Sequence, residues 1–231
     1  MISTAALPEL FASLPEPFAS AFDPSRPWDL LGEPIEALLA ALPSAAIEGR
    51  VHPGAHLLGD RIVIGKGSRV APGAVLEGPL FLGEDVEVRV GAYLRGGCWV
   101  GNGCVVGANV EMKRAILFDG AHAAHLNYVG DSILGRGVNL GAGVICSNFR
   151  HDGTEITIPH GGARLATGRR KLGAIVGDGA AVGCNAVLNP GTIVGARSQV
   201  YTGVQLRSGV YPADSLVKLR QPIDVVTLKR D

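Results

Sequence analysis

The chain has 231 residues, enough for one or two domains, and its 33 glycines are about twice the average usage of roughly 7%, which favours a turn-rich, repetitive fold over an ordinary sandwich. Hydrophobic residues reach 47% while aromatics make up only 5%, so a core has to be packed by small and aliphatic side chains. Lysine plus arginine balances aspartate plus glutamate at 21 each, which excludes the overall positive field that general nucleic-acid binders use to collect phosphates.

The N-terminus has no basic start leading into an apolar core, and no apolar run approaches the ~18 residues of a membrane span, so a soluble cytoplasmic protein is expected. Leu7, Leu10, Phe11 and Leu14, then Ile35, Leu38, Leu39 and Leu42, recur at helical spacing with prolines between them. They predict short helices in an N-terminal segment, 1–45.

A different period follows. Ile64, Val70, Leu76, Leu82, Val88, Leu94, Val100, Val106, Met112 and Phe118 are six apart without a break, and small or medium residues such as Ser68, Ala74, Ala92, Cys98 and Cys104 stand four positions after several of them. Both positions are expected to face a narrow interior. The frame is read as slipping near His125, resuming at Tyr128, Leu134, Leu140 and Cys146, breaking over 147–175, and returning from Val176 to Leu206. Such hexads predict a mainly β, parallel β-helix over 46–210 with a protruding loop at 147–175 and a tail at 211–231. The open β-edges at its ends need covers, a role available to the N-terminal helices and to the tail after Pro212.

Scaffold alone is not chemistry. Arg95 and Lys113 are 18 apart, each directly after an inward residue, so they should stack on adjacent rungs; like charges repel, and a shared phosphate would account for the pair. The interruption holds Arg150, Arg164, Arg169, Arg170 and Lys171 against Asp152 and Glu155, a local positive excess suited to an anion. The four cysteines form no C-x-x-C pair, which fits a reducing compartment, and Cys98 and Cys104 fall on inward positions as packing residues. With no G-x-S-x-G elbow, no activated serine or cysteine nucleophile is suggested.

The hexads resemble the left-handed β-helix of hexapeptide acyltransferases, in which three hexads make one triangular coil. The stretches VEMKRA (110–115), HLNYVGDS (125–132), VNLGAG (138–143) and CSNF (146–149) resemble the acetyltransferase domain of the bifunctional UDP-N-acetylglucosamine pyrophosphorylase/glucosamine-1-phosphate N-acetyltransferase family, over about residues 60–220. GRRKLGAIVGD (168–178) resembles archaeal-type sugar-phosphate nucleotidylyltransferases that carry an acetyltransferase domain. The resemblance implies that His125 is the catalytic base, a task for which an imidazole with an unperturbed pKa of about 6.5 is suited. It implies that Arg95, Lys113, Tyr128, Asn139 and Asn148 bind an amino-sugar 1-phosphate. Ala142, Phe149, Cys184, Thr202 and Arg220 are implied contacts of the co-substrate acetyl-CoA, to which the charge excess adds Arg169, Arg170 and Lys171. It further implies a closed homotrimer with sites at the interfaces and a place in UDP-N-acetylglucosamine synthesis.

The chain departs from the family pattern. The residues before the coils are too few for a pyrophosphorylase domain and open with no phosphate loop, so no uridylyl transfer is expected. Phe149 replaces a common tyrosine, Cys184 a common serine, and a length difference precedes Arg220. Two other readings use the same scaffold. A γ-type carbonic anhydrase would need three histidines on zinc; His122 and His125 lack an evident third, so no metal site is predicted. A non-catalytic sugar-nucleotide-binding or assembly module is opposed by the joint presence of Arg95, Lys113, His125, Asn139 and Asn148.

Overall fold

The hexads fold as strands of two to four residues separated by tight corners, and the chain turns through three directions before lying back on itself. In the computed structural model, which describes residues 6–221 together with 226 and 227, this produces a left-handed parallel β-helix with three sheets. Sheets A and B have nine strands each and sheet C has eight. Sheet A begins at Ala45–Ile47, sheet B at Arg50–Val51 and sheet C at His56–Leu58, and each coil visits them in that order. Of the expected terminal segments, residues 1–5, 222–225 and 228–231 lie outside the described residues.

Register explains the hexad. Leu80 pairs with Ile62 and Cys98, and Ile64, Leu82 and Val100 stack with none of their surface exposed. Some corner positions leave no room for a side chain between coils: a Cβ at Gly65 would stand 2.5 Å from the carbonyl oxygen of Gly83, one coil on. Burial in this narrow interior pushes the Cys98, Cys104 and Cys146 thiols up to about 12, which leaves them as packing groups.

The phase of the repeat differs from the sequence expectation at two positions. Val100 pairs with Leu117 and Met112 with Val129, so the inward residues are Leu117 and Val129 rather than Phe118 and Tyr128. The shortened steps run from Met112 to Leu117 and from Val129 to Leu134, not through His125. On a strand a shift of one residue reverses the face. Phe118 therefore joins an outer cluster and Tyr128 is half-buried on the outside of sheet C.

That outer cluster closes sheet A. Phe81, Trp99, Ile116, Ile133, Ile175, Ile193 and Val210 project from its strands away from the interior, and residues 6–40 lie over them. Only two short helices form here, α1 (Phe18–Ala21) and α2 (Glu33–Ala40), with a 3-10 turn at Pro27–Leu31 between them. The Leu7–Leu14 group is not helical. Pro8 lies within it and Pro15 follows it, and its backbone instead pairs with the coils: Glu9 and Leu10 carbonyls accept from the Ala196 and Asp178 N–H groups at 2.9 and 2.7 Å. This strap covers a lateral face rather than a solenoid end; at the first coil Ile47 and Leu58 remain exposed.

The interruption at 147–175 contains an antiparallel hairpin, Thr157–His160 with Ala163–Ala166; its Ile158 and the preceding Ile156 are buried in the same outer cluster. Strand pairing continues through Gly209–Tyr211 and Leu216–Val217. Among the described residues no helix is long and apolar enough to cross a membrane.

Candidate functional site

Sheet C presents the acceptor candidates. The strands Tyr93–Arg95, Glu111–Lys113 and Tyr128–Gly130 lie side by side, with Lys113 paired to Arg95 on one side and to Gly130 on the other. Leu94, Met112 and Val129 point inward and are buried, so alternation turns Arg95, Lys113 and Tyr128 outward on one face. Arg95 donates to Glu111 at 3.0 Å. Among the described residues Lys113 has no ion-pair partner, and its pKa is lowered by burial first, then by the charges of Lys171, Arg95 and Arg114. Such a site would gain from an anion. The two cations expected from the sequence are thus not equivalent, because one already has a carboxylate.

Asn148 reaches the same face from beyond the next strand, Ile145–Cys146. Its Nδ2 donates to Asp131, which is also paired with Arg114. Burial and the nearby Glu111 raise the Tyr128 hydroxyl's pKa, while the Asn148 amide opposes them. Arg95, Lys113, Tyr128 and Asn148 therefore share one surface.

His125 stands at the corner between sheets B and C, exposed, at the end of the strand His122–His125. Its backbone N–H donates to Asn127 Oδ1 at 3.1 Å, and the buried Asn127 Nδ2 donates to Gly141 O at 2.7 Å. This bracing sets the corner that carries the imidazole. Four of the residues singled out in the sequence occupy the equivalent corner position on successive coils: His125 O accepts from Gly143, Ala142 O from Asn185, and Cys184 O from Gly203, which follows Thr202. The residue after each one, Leu126, Gly143, Asn185 or Gly203, has left-handed φ of 52°, 73°, 56° and 69°. With strands about 4.8 Å apart, three steps make a row of about 14 Å running from the imidazole. Arg220 is exposed just beyond the last strand, Leu216–Val217.

Other residues are not brought to these two places. Asn139 is exposed on sheet B, paired with His122 and Ala181, and separated from Lys113 by the corner. Phe149 and Lys171 form an isolated antiparallel bridge at the corner between sheets C and A, where with Arg114, Arg169 and Arg170 they line an open cleft of about 480 Å³. The cations there are unequally available. Arg169 is half-buried and donates to Leu31 O at 3.4 Å, Arg170 donates to Gly153 O at 2.8 Å, and Arg150 pairs with Asp152 at 2.6 Å.

Sequence reasoning missed Glu111, Arg114, Gly130 and Asp131. Glu111 was accessible, since strand alternation puts it on the same face as Lys113. Asp131 required the shortened coil, which brings it one rung above Arg114.

No family model matches the chain. It is 34% identical to the bifunctional protein GlmU of Acaryochloris marina over 187 residues, 74% of this chain and 37% of that protein. With GlmU of Methanococcus vannielii the identity is 31% over 201 residues, 84% of this chain and 48% of the relative. A bifunctional sugar-1-phosphate nucleotidylyltransferase/acetyltransferase of Sulfurisphaera tokodaii is 32% identical over 153 residues, 58% of this chain and 38% of that protein. The chain spans less than half the length of these curated relatives.

Proposed function

Since the chain is of the hexapeptide-repeat acyltransferase type and related to the acetyltransferase domain of the GlmU proteins, we propose that it moves an acetyl group from acetyl-CoA to the amine of an amino-sugar 1-phosphate, glucosamine 1-phosphate first among them. The product would feed UDP-N-acetylglucosamine synthesis in the cytoplasm. The observation that carries this reading is Lys113, without an ion-pair partner among the described residues, beside Arg95, Tyr128 and Asn148 on sheet C, next to the corner row that starts at His125.

The chemistry asks for two things. An amine is protonated near neutrality, and only its lone pair can attack the thioester carbon, so a base has to take a proton; His125 is exposed at the corner and suited to it. Attack forms the C–N bond and a tetrahedral oxyanion, which collapses with breakage of the C–S bond and departure of the coenzyme A thiolate; a proton then neutralises the thiolate. Arg95 and Lys113 would hold the sugar phosphate and fix the amine's approach. Acetyl-CoA would lie along Ala142, Cys184 and Thr202, with Asn139, Phe149, Arg169, Arg170, Lys171 and Arg220 completing the substrate contacts in the assembled protein.

The test is release of the coenzyme A thiol from acetyl-CoA across a panel of amino-sugar phosphates. Glucosamine 1-phosphate should support turnover, and His125→Ala should lower it by about 10²–10⁴-fold with the circular-dichroism spectrum unchanged. No turnover with any member in a folded sample would replace the enzyme by a non-catalytic sugar-nucleotide-binding or assembly module. Near-normal kcat in the variant would remove His125 from the role of base.

A further inference from the structure

Behind the outward row of sheet C lies a carboxylate that the proposed chemistry does not use. The Asp131 side chain is 5% exposed; one oxygen takes the Arg114 guanidinium and the other the Asn148 Nδ2, each at 2.5 Å. Asp131 and Arg114 follow the register partners Gly130 and Lys113, and both have left-handed φ, 46° and 43°. They therefore sit at the same corner of adjacent coils. A carboxylate taken out of water persists where it is both paired and hydrogen-bonded. Asp131 has both kinds of partner, and one of them is an acceptor-site side chain.

The Asn148 amide is fixed by this contact. A carboxylate only accepts, so the group facing Asp131 is the NH2 end, and the flip is no longer free. Its surroundings explain the glycine next door. A Cβ on Gly130 would stand 2.6 Å from Asn148 Nδ2 and 2.6 Å from the Tyr128 hydroxyl oxygen. Gly130 lies in a strand with no left-handed φ, so space rather than backbone freedom is what requires glycine there. The amide and the hydroxyl converge over that space.

We propose that Asp131 and Gly130 are positioning residues of the acceptor site: Asp131 clamps the Asn148 amide, and Gly130 supplies the gap over which that amide faces the Tyr128 hydroxyl. With the amide NH2 turned toward its oxygen, the hydroxyl is left to donate its proton to an oxygen of the bound sugar phosphate. This rests on the acceptor reading above, but the clamp exists independently of which sugar is bound.

The test has two arms. In the first, kcat and KM for glucosamine 1-phosphate are measured for Asp131→Asn and Gly130→Ala, each alone and combined with Tyr128→Phe. The single variants should lose at least about tenfold in kcat/KM, mainly through KM, and in the Tyr128→Phe background the same changes should cost less than about threefold. Equal losses in both backgrounds would mean a general structural effect and would overturn the proposal. The second arm needs no turnover. In protein labelled with 15N-asparagine, the Asn148 side-chain amide should exchange slowly in the wild type and at least about tenfold faster in both variants. The same exchange in all three overturns the clamp, while slow wild-type exchange lost in the variants of a protein that acetylates nothing upholds the clamp and overturns only the acceptor reading.

Discussion

Two cations on adjacent rungs are the most legible feature of the site, because an 18-residue spacing between Arg95 and Lys113 survives intact in the register. Their difference was not legible. Glu111 neutralises Arg95, whereas Lys113 faces Arg95, Arg114 and Lys171 and is the cation with most to gain from a phosphate. A hydrogen bond to a charged group contributes about 1.5–3 kcal/mol, or roughly a ten- to hundredfold change in binding. Lys113→Ala should therefore lower kcat/KM for glucosamine 1-phosphate by about that factor, and Arg95→Ala by less, since it also releases Glu111. With unphosphorylated glucosamine at high concentration both variants should match the wild type. Large, equal losses on the two substrates would show that these residues hold the ring, the donor or the fold, and the phosphate assignment would be withdrawn.

At the level of elements, the sequence was readable where the period was uniform and misleading where a second force competed with it. Hexads from Ile64 to Met112 place every inward residue correctly, since each has one neighbour above and one below of the same kind. The error at Phe118 and Tyr128 arose because both are large and apolar enough to pass for core residues, and the shortened coils are visible only in the pairing. Helical spacing at Leu7–Leu14 failed for another reason: the segment had a sheet to lie on, and pairing with Asp178 and Ala196 competes with helix formation between prolines. The strap over residues 6–40 is anchored by Phe18, fully buried, edge-on to Trp99 at 5.3 Å and to Phe118 at 5.5 Å. Phe18→Ala should cost about 3–5 kcal/mol of strap attachment. Limited proteolysis should then cut within residues 6–40 while the coils stay resistant; an uncut strap would show that the aromatic anchor is not what holds it.

For the whole molecule the question is which surfaces remain for a second copy. Of the three sheets, A is the one with a continuous apolar exterior, and the chain covers it with its own strap and hairpin. An assembly built on that face would have to strip off residues already buried. Sheets B and C are left, and they meet at the corner that carries His125, Ala142, Cys184 and Thr202. Phe149, Arg169, Arg170 and Lys171 lie at the opposite edge of sheet C. Within one chain the proposed base with its row of donor contacts and the second group of donor contacts bound the face on different sides, and Asn139 looks out from sheet B. A neighbour that brings its C–A corner against this chain's B–C corner would unite them, and such a heterologous contact leaves no unsatisfied ends only where its rotation closes a ring. The resemblance to the trimeric acetyltransferases sets that ring at three, and we predict a homotrimer, with light scattering giving three chain masses at assay concentration. A second measurement ties mass to chemistry. His125→Ala and Lys171→Ala are each mixed with the other under conditions that exchange subunits, and activity should rise above the mean of the two separate samples if one site takes its base and its cation from different chains. A monomer that turns over at full rate would sink the shared site, and a trimer with no such recovery would confine each site to a single chain.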